Sequence, residues 1–248
     1  MLVLAGLGLG NENSITIEEL EEAKKADKVY IEEYTNIWLG KLENLEKMIG
    51  KKIIKLNRKD LEEESYKIVE EAKNKNIIIF VPGDPLIATT HLSLVLDCLK
   101  KRVEYKILHN SSIVSAVGET GLHIYKFGRI VTIPLKEKIR TSYYIRNVIE
   151  ENRRNGLHTL CLLDLDVEKN VFLTVNEALR FLLEEKILDR KERIIIASLL
   201  GTHNSRIVYN EIEKLMNINL ELPSIIIIPG ELHFTEKEYL DLISTFTS

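Results

Sequence analysis

Val81-Pro82-Gly83-Asp84-Pro85-Leu86-Ile87-Ala88-Thr89-Thr90-His91 joins an apolar run, residues 77–81, to a helical pattern that begins at Leu92. The run reads as a buried strand. Pro82 has no N–H for a sheet ladder and so ends it, and Pro85 presets the turn that follows. The junction therefore sets a carboxylate (Asp84), the hydroxyls of Thr89 and Thr90 and several backbone N–H groups at the C-terminal end of a strand. In open α/β sheets, ligands bind at that edge.

Outward from this junction, the first half of the chain alternates strand and helix. Residues 2–7 are continuously apolar and run into Gly6-Leu7-Gly8-Leu9-Gly10, a second glycine-rich strand exit. After a loop at 11–15, Thr16 and Glu19 form a capping box for a helix. Ile17, Leu20 and Ala23 give that helix an apolar face, and Glu18, Glu19, Glu21 and Glu22 a solvated one. Strands are expected at 29–31, ending in Glu32 and Glu33, and at 53–56 and 103–108. Leu42, Leu45 and Ile49 mark a short helix, and Asp60 with Glu63 caps another over 61–75. Trp38 lies in a loop between strand and helix. Such alternation predicts a parallel sheet covered by helices on both faces. Right-handed crossovers bring the exits at 6–10, Glu32, Asp84 and 109–113 to one edge.

The segment 114–125, with Gly118 and Gly121, reads as a connector into a second lobe. There the pattern predicts strands at 130–133, 159–163, 193–200 and 224–228. Helices are predicted at 142–152, at 174–185 behind a Thr174/Glu177 capping box, at 207–216, and after Thr235 with Glu238. The expected domains are 1–113 and 114–248.

Composition narrows the class. A chain of 248 residues with 45% hydrophobic and 29% charged residues has enough apolar surface for a substantial core, which excludes a disordered protein. The 34 basic and 38 acidic residues are interspersed, so no basic face suggests nucleic acid. No apolar run approaches the roughly 20 residues of a membrane span, and the apolar start lacks a cationic leader. The two cysteines, Cys98 and Cys161, sit in apolar patterns and read as reduced buried thiols of a cytoplasmic protein. The six histidines show no metal-ligand spacing, and neither a Gly-x-Ser-x-Gly elbow nor a phosphate-binding P-loop occurs.

The glycine loop alone leaves alternatives open. Gly-x-Gly-x-Gly departs from the dinucleotide fingerprint Gly-x-Gly-x-x-Gly, although Glu32 stands where a ribose-binding acid would. The loop at 11–15 also keeps a helix N-terminus away from a pyrophosphate. Asp84 reads either as a carboxylate that holds the local turn or as an acceptor and counter-charge for a cationic ligand.

Taken together, the motifs resemble a known family. Gly6-Leu7-Gly8-Leu9-Gly10 with Gly83-Asp84-Pro85 resembles the tetrapyrrole-methylase superfamily of S-adenosylmethionine-dependent methyltransferases. The continuation Ala88-Thr89-Thr90-His91, Ser112-Ile113 with Ala116-Val117-Gly118, Gly121-Leu122-His123-Ile124-Tyr125-Lys126-Phe127-Gly128, Thr141-Ser142-Tyr143-Tyr144 and Gly156-Leu157-His158-Thr159-Leu160 resemble, within it, the diphthine synthases. The resemblance implies two α/β lobes, the first with a five-stranded parallel sheet and the second with a mixed sheet, and S-adenosyl-L-methionine in the cleft between them. It implies a homodimer whose protein substrate is elongation factor 2. The reaction implied is trimethylation of the amino group of that factor's 3-amino-3-carboxypropyl-histidine. Carried onto this chain, cofactor contacts fall at Leu9, Asp84, Ile87, Ser112 and Ile113 in the first lobe and at Leu163, Leu200 and Ser224 in the second. An arginine that the family often carries near 199–200 is absent. The competing readings are a tetrapyrrole methyltransferase and a nicotinamide-dependent oxidoreductase. No residue is marked by the sequence as a general base.

Overall fold

The computed structural model describes residues 1–138 and 141–246. Five strands form one wholly parallel sheet: β1 (Leu2–Gly6), β2 (Lys28–Glu32), β3 (Ile53–Leu56), β4 (Ile77–Val81) and β5 (Tyr105–Leu108), in the order β3-β2-β4-β1-β5. The continuous apolar runs follow from burial on both faces. Leu2, Leu4, Tyr30, Ile77 and Ile79 point to one face. There they pack with Leu61, Ile68, Val69, Leu94 and Cys98 from α3 (Arg58–Glu62), α4 (Ser65–Glu71) and α5 (Leu92–Lys101). Val3, Ala5, Val29, Ile31, Ile78 and Phe80 point to the other, against Ala23 of α1 (Ile17–Lys25) and Leu45 and Ile49 of α2 (Leu42–Ile49). Each fully buried Leu or Ile contributes about 1.5–3 kcal/mol, which fixes the register of strands that have no polar face to mark it.

Two local expectations change. Ile17 is 78% exposed, so the buried face of α1 starts at Leu20 and Ala23, and Glu19 is buried rather than solvated. The helix expected over 61–75 is two helices, and its cap is Asn57, in a capping box with Asp60. Trp38 packs on the core face that carries α1 and α2.

The connector is irregular, as its glycines suggest: α6 (Ile113–Ala116) is followed by 3-10 turns at Val117–Thr120 and Ile124–Lys126. Beyond it lies a mixed sheet of β6 (Val131–Ile133), β7 (Thr159–Leu163), β10 (Arg193–Ser198), β11 (Arg206–Glu211) and β12 (Ser224–Ile228). Its order is β11-β10-β12-β7-β6, with only β6 and β7 parallel. A two-stranded ribbon, β8 (Leu165–Asp166) with β9 (Val171–Phe172), follows β7. One face of the mixed sheet packs against α7 (Tyr143–Arg154), α8 (Val175–Glu184) and α9 (Ile212–Leu215). The helix expected at 207–216 is mostly β11: Ile207, Val208 and Tyr209 favour a pleated strand, and the turn after Gly201 folds them back onto β10. The last helix, α10 (Phe234–Phe246), is capped from His233 rather than Thr235: the His233 N–H donates to Glu236 Oε2 at 2.7 Å.

The chain divides into two compact units, Met1–Val114 with Val167–Lys169 and Ser115–Asp166 with Asn170–Ser248. Both cysteines are free and buried, and burial pushes the Cys161 thiol up to about 12.

Candidate active site

The two glycine loops meet. Past the end of β1, the Gly8 N–H donates to Gly83 O and the Gly83 N–H to Gly8 O, each at 3.1 Å. Gly8 and Gly83 take left-handed φ values of 66° and 75°, which L side chains adopt only with strain. At Gly6 space decides instead: a Cβ there would lie 2.4 Å from Gly83 O and 2.7 Å from Asn110 Cβ.

Asp84 is 5% exposed and both oxygens of its carboxylate are hydrogen-bonded. Oδ1 accepts the Leu86 N–H at 2.9 Å; Oδ2 accepts from His109 Nδ1 at 2.8 Å and from the Asn110 N–H at 3.3 Å. The same turn presents Ile87, 38% exposed, followed by Ala88 at a left-handed φ of 57°. Behind it, Pro85 O accepts the Thr89 hydroxyl at 2.7 Å and His91 Nδ1 at 3.2 Å, while His91 Nε2 lies 3.4 Å from the Tyr34 hydroxyl. Burial raises the Tyr34 hydroxyl well above its ordinary value, so it stays a neutral partner.

After β5, Asn110 Nδ2 reaches Gly6 O, Ser14 O and Glu19 Oε2 at 3.3, 3.1 and 3.0 Å. Ser111 Oγ accepts the Leu9 N–H at 3.1 Å, and the Ser14 hydroxyl donates to Leu9 O at 2.7 Å. Leu9, Asp84, Ile87 and Ser112 thus sit on loops at one sheet edge and Ile113 opens α6 there, with Ser112 buried and Ile113 half-buried. Glu32 ends its strand at this edge as expected, but it is buried and accepts the N–H groups of Tyr34 and Thr35 at 2.9 and 3.1 Å. It is committed to its own turn rather than offered to a ribose.

In the second unit, half-buried Leu163 ends β7, and Asp164 beyond it accepts the Leu135 and Leu165 N–H groups and Lys138 Nζ. Leu200 is buried just past β10, where Leu199 turns through φ 52°. This turn is fastened by Glu119, whose carboxylate accepts the Gly201 N–H at 2.8 Å and the Ser205 hydroxyl at 3.0 Å. Ser224 opens β12, and its buried Oγ has no hydrogen-bond partner among the described residues. The sequence brings 109–113 to this edge but assigns no role to His109 or Asn110, and it does not point to Glu119. The polar run His109-Asn110-Ser111-Ser112 directly after a buried strand was the available signal for the first two; nothing local marks Glu119.

Residues 1–216 match the family of Tetrapyrrole (Corrin/Porphyrin) Methylases. The chain is 44% identical over 250 residues to the diphthine synthase of Methanocaldococcus jannaschii, spanning 97% of both chains. It is 41% identical over 248 residues to that of Methanococcus vannielii, again spanning 97% of both. A crystal structure of diphthine synthase superposes with a TM-score of 0.90 at 34% identity, covering 98% of this chain and 96% of the other. The chain belongs to the diphthine synthase family. It is accordingly an S-adenosylmethionine-dependent methyltransferase of diphthamide biosynthesis, with the two α/β lobes of the tetrapyrrole-methylase fold.

Two features suit the cofactor that diphthine synthases use. An orphaned buried hydroxyl at Ser224 has hydrogen-bonding capacity that its own unit does not satisfy, which is costly unless a partner arrives. Ile87 is an exposed apolar side chain beside a buried carboxylate, a pairing that suits a ligand with both apolar and cationic parts. Among the described residues no cluster of His, Cys, Asp and Glu could hold a metal, and no helix is long and apolar enough to cross a membrane.

Proposed function

We propose that this enzyme trimethylates the amino group of the 3-amino-3-carboxypropyl-histidine of elongation factor 2, giving diphthine. The observation that carries this reading is the full-length likeness to diphthine synthases, 44% identity across 97% of both chains. The mutual hydrogen bonds of Gly8 and Gly83, at the edge where such a fold holds its ligand, support it. S-adenosyl-L-methionine is held in this reading by Leu9, Asp84, Ile87, Ser112 and Ile113 of the first unit and by Leu163, Leu200 and Ser224 of the second. The protein works as a cytoplasmic homodimer.

When bound, the cofactor supplies an activated methyl group on a sulfonium. The chain's own task is then chiefly placement, since in-line transfer gains most from orientation. Backbone groups around Leu9 and Ile87 fix position without mobile side chains in the path. The braced Asp84 carboxylate offers fixed negative charge near a cationic ligand, and the Ser224 hydroxyl one further hydrogen bond.

The test is transfer of labelled methyl to purified elongation factor 2. Factor carrying the carboxypropyl-histidine is expected to accept label, up to three methyls by mass, and unmodified factor none. Equal labelling of both, or labelling of a porphyrinoid precursor in their place, overturns the reading. The engaged Glu32 disfavours the nicotinamide alternative, and a thermal-shift comparison should accordingly show stabilisation by S-adenosylhomocysteine and none by NAD.

A further inference from the structure

We propose that His109 is the base that takes the proton from the substrate amine, held in its working tautomer by Asp84. The inference rests on the reading of this enzyme as an amine N-methyltransferase. Its ground is a geometry that the sequence did not announce. Asp84 is buried and fixed by the Leu86 and Asn110 N–H groups, and its Oδ2 lies 2.8 Å from His109 Nδ1. An ionised carboxylate only accepts, so the proton is on Nδ1 and the lone pair on Nε2. The His109 side chain is 67% exposed and projects from the loop edge that carries Ile87, Ser112 and Ile113. A buried carboxylate behind an open imidazole holds the tautomer and stabilises the imidazolium that forms when the ring takes a proton.

Other histidines lack this combination. His91 has its two nitrogens against Pro85 O and the Tyr34 hydroxyl. His158 has its two against the Gly230 N–H and Glu236. His123 Nδ1 lies 3.6 Å from the buried Glu236 carboxylate and 3.2 Å from the Tyr125 hydroxyl, but its Nε2 is taken by the Thr235 hydroxyl, so no nitrogen is left open. Among the described residues the charged side chain hydrogen-bonded to the His109 ring is Asp84, from the loop after β4. Glu19, from α1, faces Asn110 instead.

The reaction needs such a group. An amine is largely protonated near neutral pH and cannot attack until it loses a proton. His109 Nε2 accepts that proton. The freed lone pair forms the N–C bond to the methyl as the C–S bond breaks, its electrons returning to sulfur. The nitrogen is then cationic again, so a second and a third transfer each release one more proton. An exposed imidazole passes each of these to solvent and is ready for the next.

The test compares wild type with His109→Asn and His109→Ala, using elongation factor 2 that carries the carboxypropyl-histidine. Because the ring is exposed, both variants should fold and bind S-adenosylhomocysteine within about twofold of wild type by calorimetry. Their kcat is expected to fall on the order of 100-fold, within the usual range for loss of a general base. In both variants the pH–rate profile should follow the amine's own deprotonation alone, rising with pH where the wild-type rate has levelled off, and added imidazole should restore activity to His109→Ala. NMR of the wild-type ring should show the Nδ1–H tautomer without any substrate. Variants that keep the wild-type rate overturn the inference alone, as does a slowed variant with an unchanged pH profile and no imidazole rescue. A wild-type enzyme that labels neither form of the factor overturns the functional reading, and this inference with it.

Discussion

Glu19 shows how position and partner, not residue type, decide what a carboxylate does. It belongs to a run of four acidic residues, yet it is buried, while Glu18 and Glu21 on the same helix stay in water. Burial raises its carboxyl, against hydrogen bonds from the Thr16 N–H and Asn110 Nδ2 that pull it down. Through Asn110, the start of α1 is tied to Gly6 O and so to the floor of the glycine loop. Asp84 does comparable work one loop away. Its removal leaves the Leu86 and Asn110 N–H groups and the His109 ring without their acceptor. Asp84→Ala is therefore expected to weaken S-adenosylhomocysteine binding by about 1.5–3 kcal/mol, the range for hydrogen bonds to a charged group. Calorimetric titration reads this directly, and unchanged affinity would take Asp84 out of the binding site.

Secondary elements were legible where one local rule governed them. The capping boxes at Thr16/Glu19 and Thr174/Glu177 are both formed, with hydroxyl and carboxylate each meeting the other's backbone N–H. Thr174→Ala should accordingly cost about 1 kcal/mol of unfolding free energy in urea; a change within experimental error would mean that Glu177 alone holds the end of α8. The strands β1, β3, β4, β7 and β12 were readable as apolar runs bounded by turn residues. The failures have physical causes of their own. In β11, apolar residues at 207, 208, 212 and 215 fit a helical period, and the pairing with β10 that overrides it is a tertiary contact. At α3, a closer cap, Asn57, took the position expected of Asp60. The loops of the candidate site were legible as glycine, proline and aspartate punctuation. Their contents were not: Asp84 meets residues 109 and 110, and Glu119 meets Gly201. Separations of 25 residues or more leave no periodic trace.

Each unit carries its own core, and their buried charges respond to acid differently. In the second unit Glu236 is fully buried. Burial pushes its carboxyl up, but Lys126 Nζ, the N–H groups of His123 and His233 and the His158 ring outweigh this and hold it at about 2. Its folded value lies below the ordinary 4.5, so its contribution is complete above that pH and is lost as pH falls from 4.5 toward 2. Burial also lowers the neighbouring His158 below 6.5 despite Glu236, which adds acid sensitivity of the same sign from pH 6.5 downward. In the first unit, buried Glu19 is raised above its ordinary value, so its protonation favours the fold as pH falls. Of the lowered carboxylates of that unit, Glu46, Glu64, Glu70 and Glu71 are in surface pairs with lysines, and Glu12 accepts from Asn44 Nδ2 and the Lys41 N–H. Such exposed lysine pairs are screened by water and salt and add little to stability. Between pH 6 and 3, at moderate salt, hydrogen exchange should therefore lose protection in β7, β10 and β12 before it does in β1, β2 and β4. Glu236→Gln should cost about 3 kcal/mol at neutral pH, near the lower end for one half of a buried ion pair, and flatten the acid response of the second unit. Equal loss of protection in both sheets, or a Glu236→Gln protein with the wild-type acid response, would show that acid acts through the surface pairs and not through this buried carboxylate.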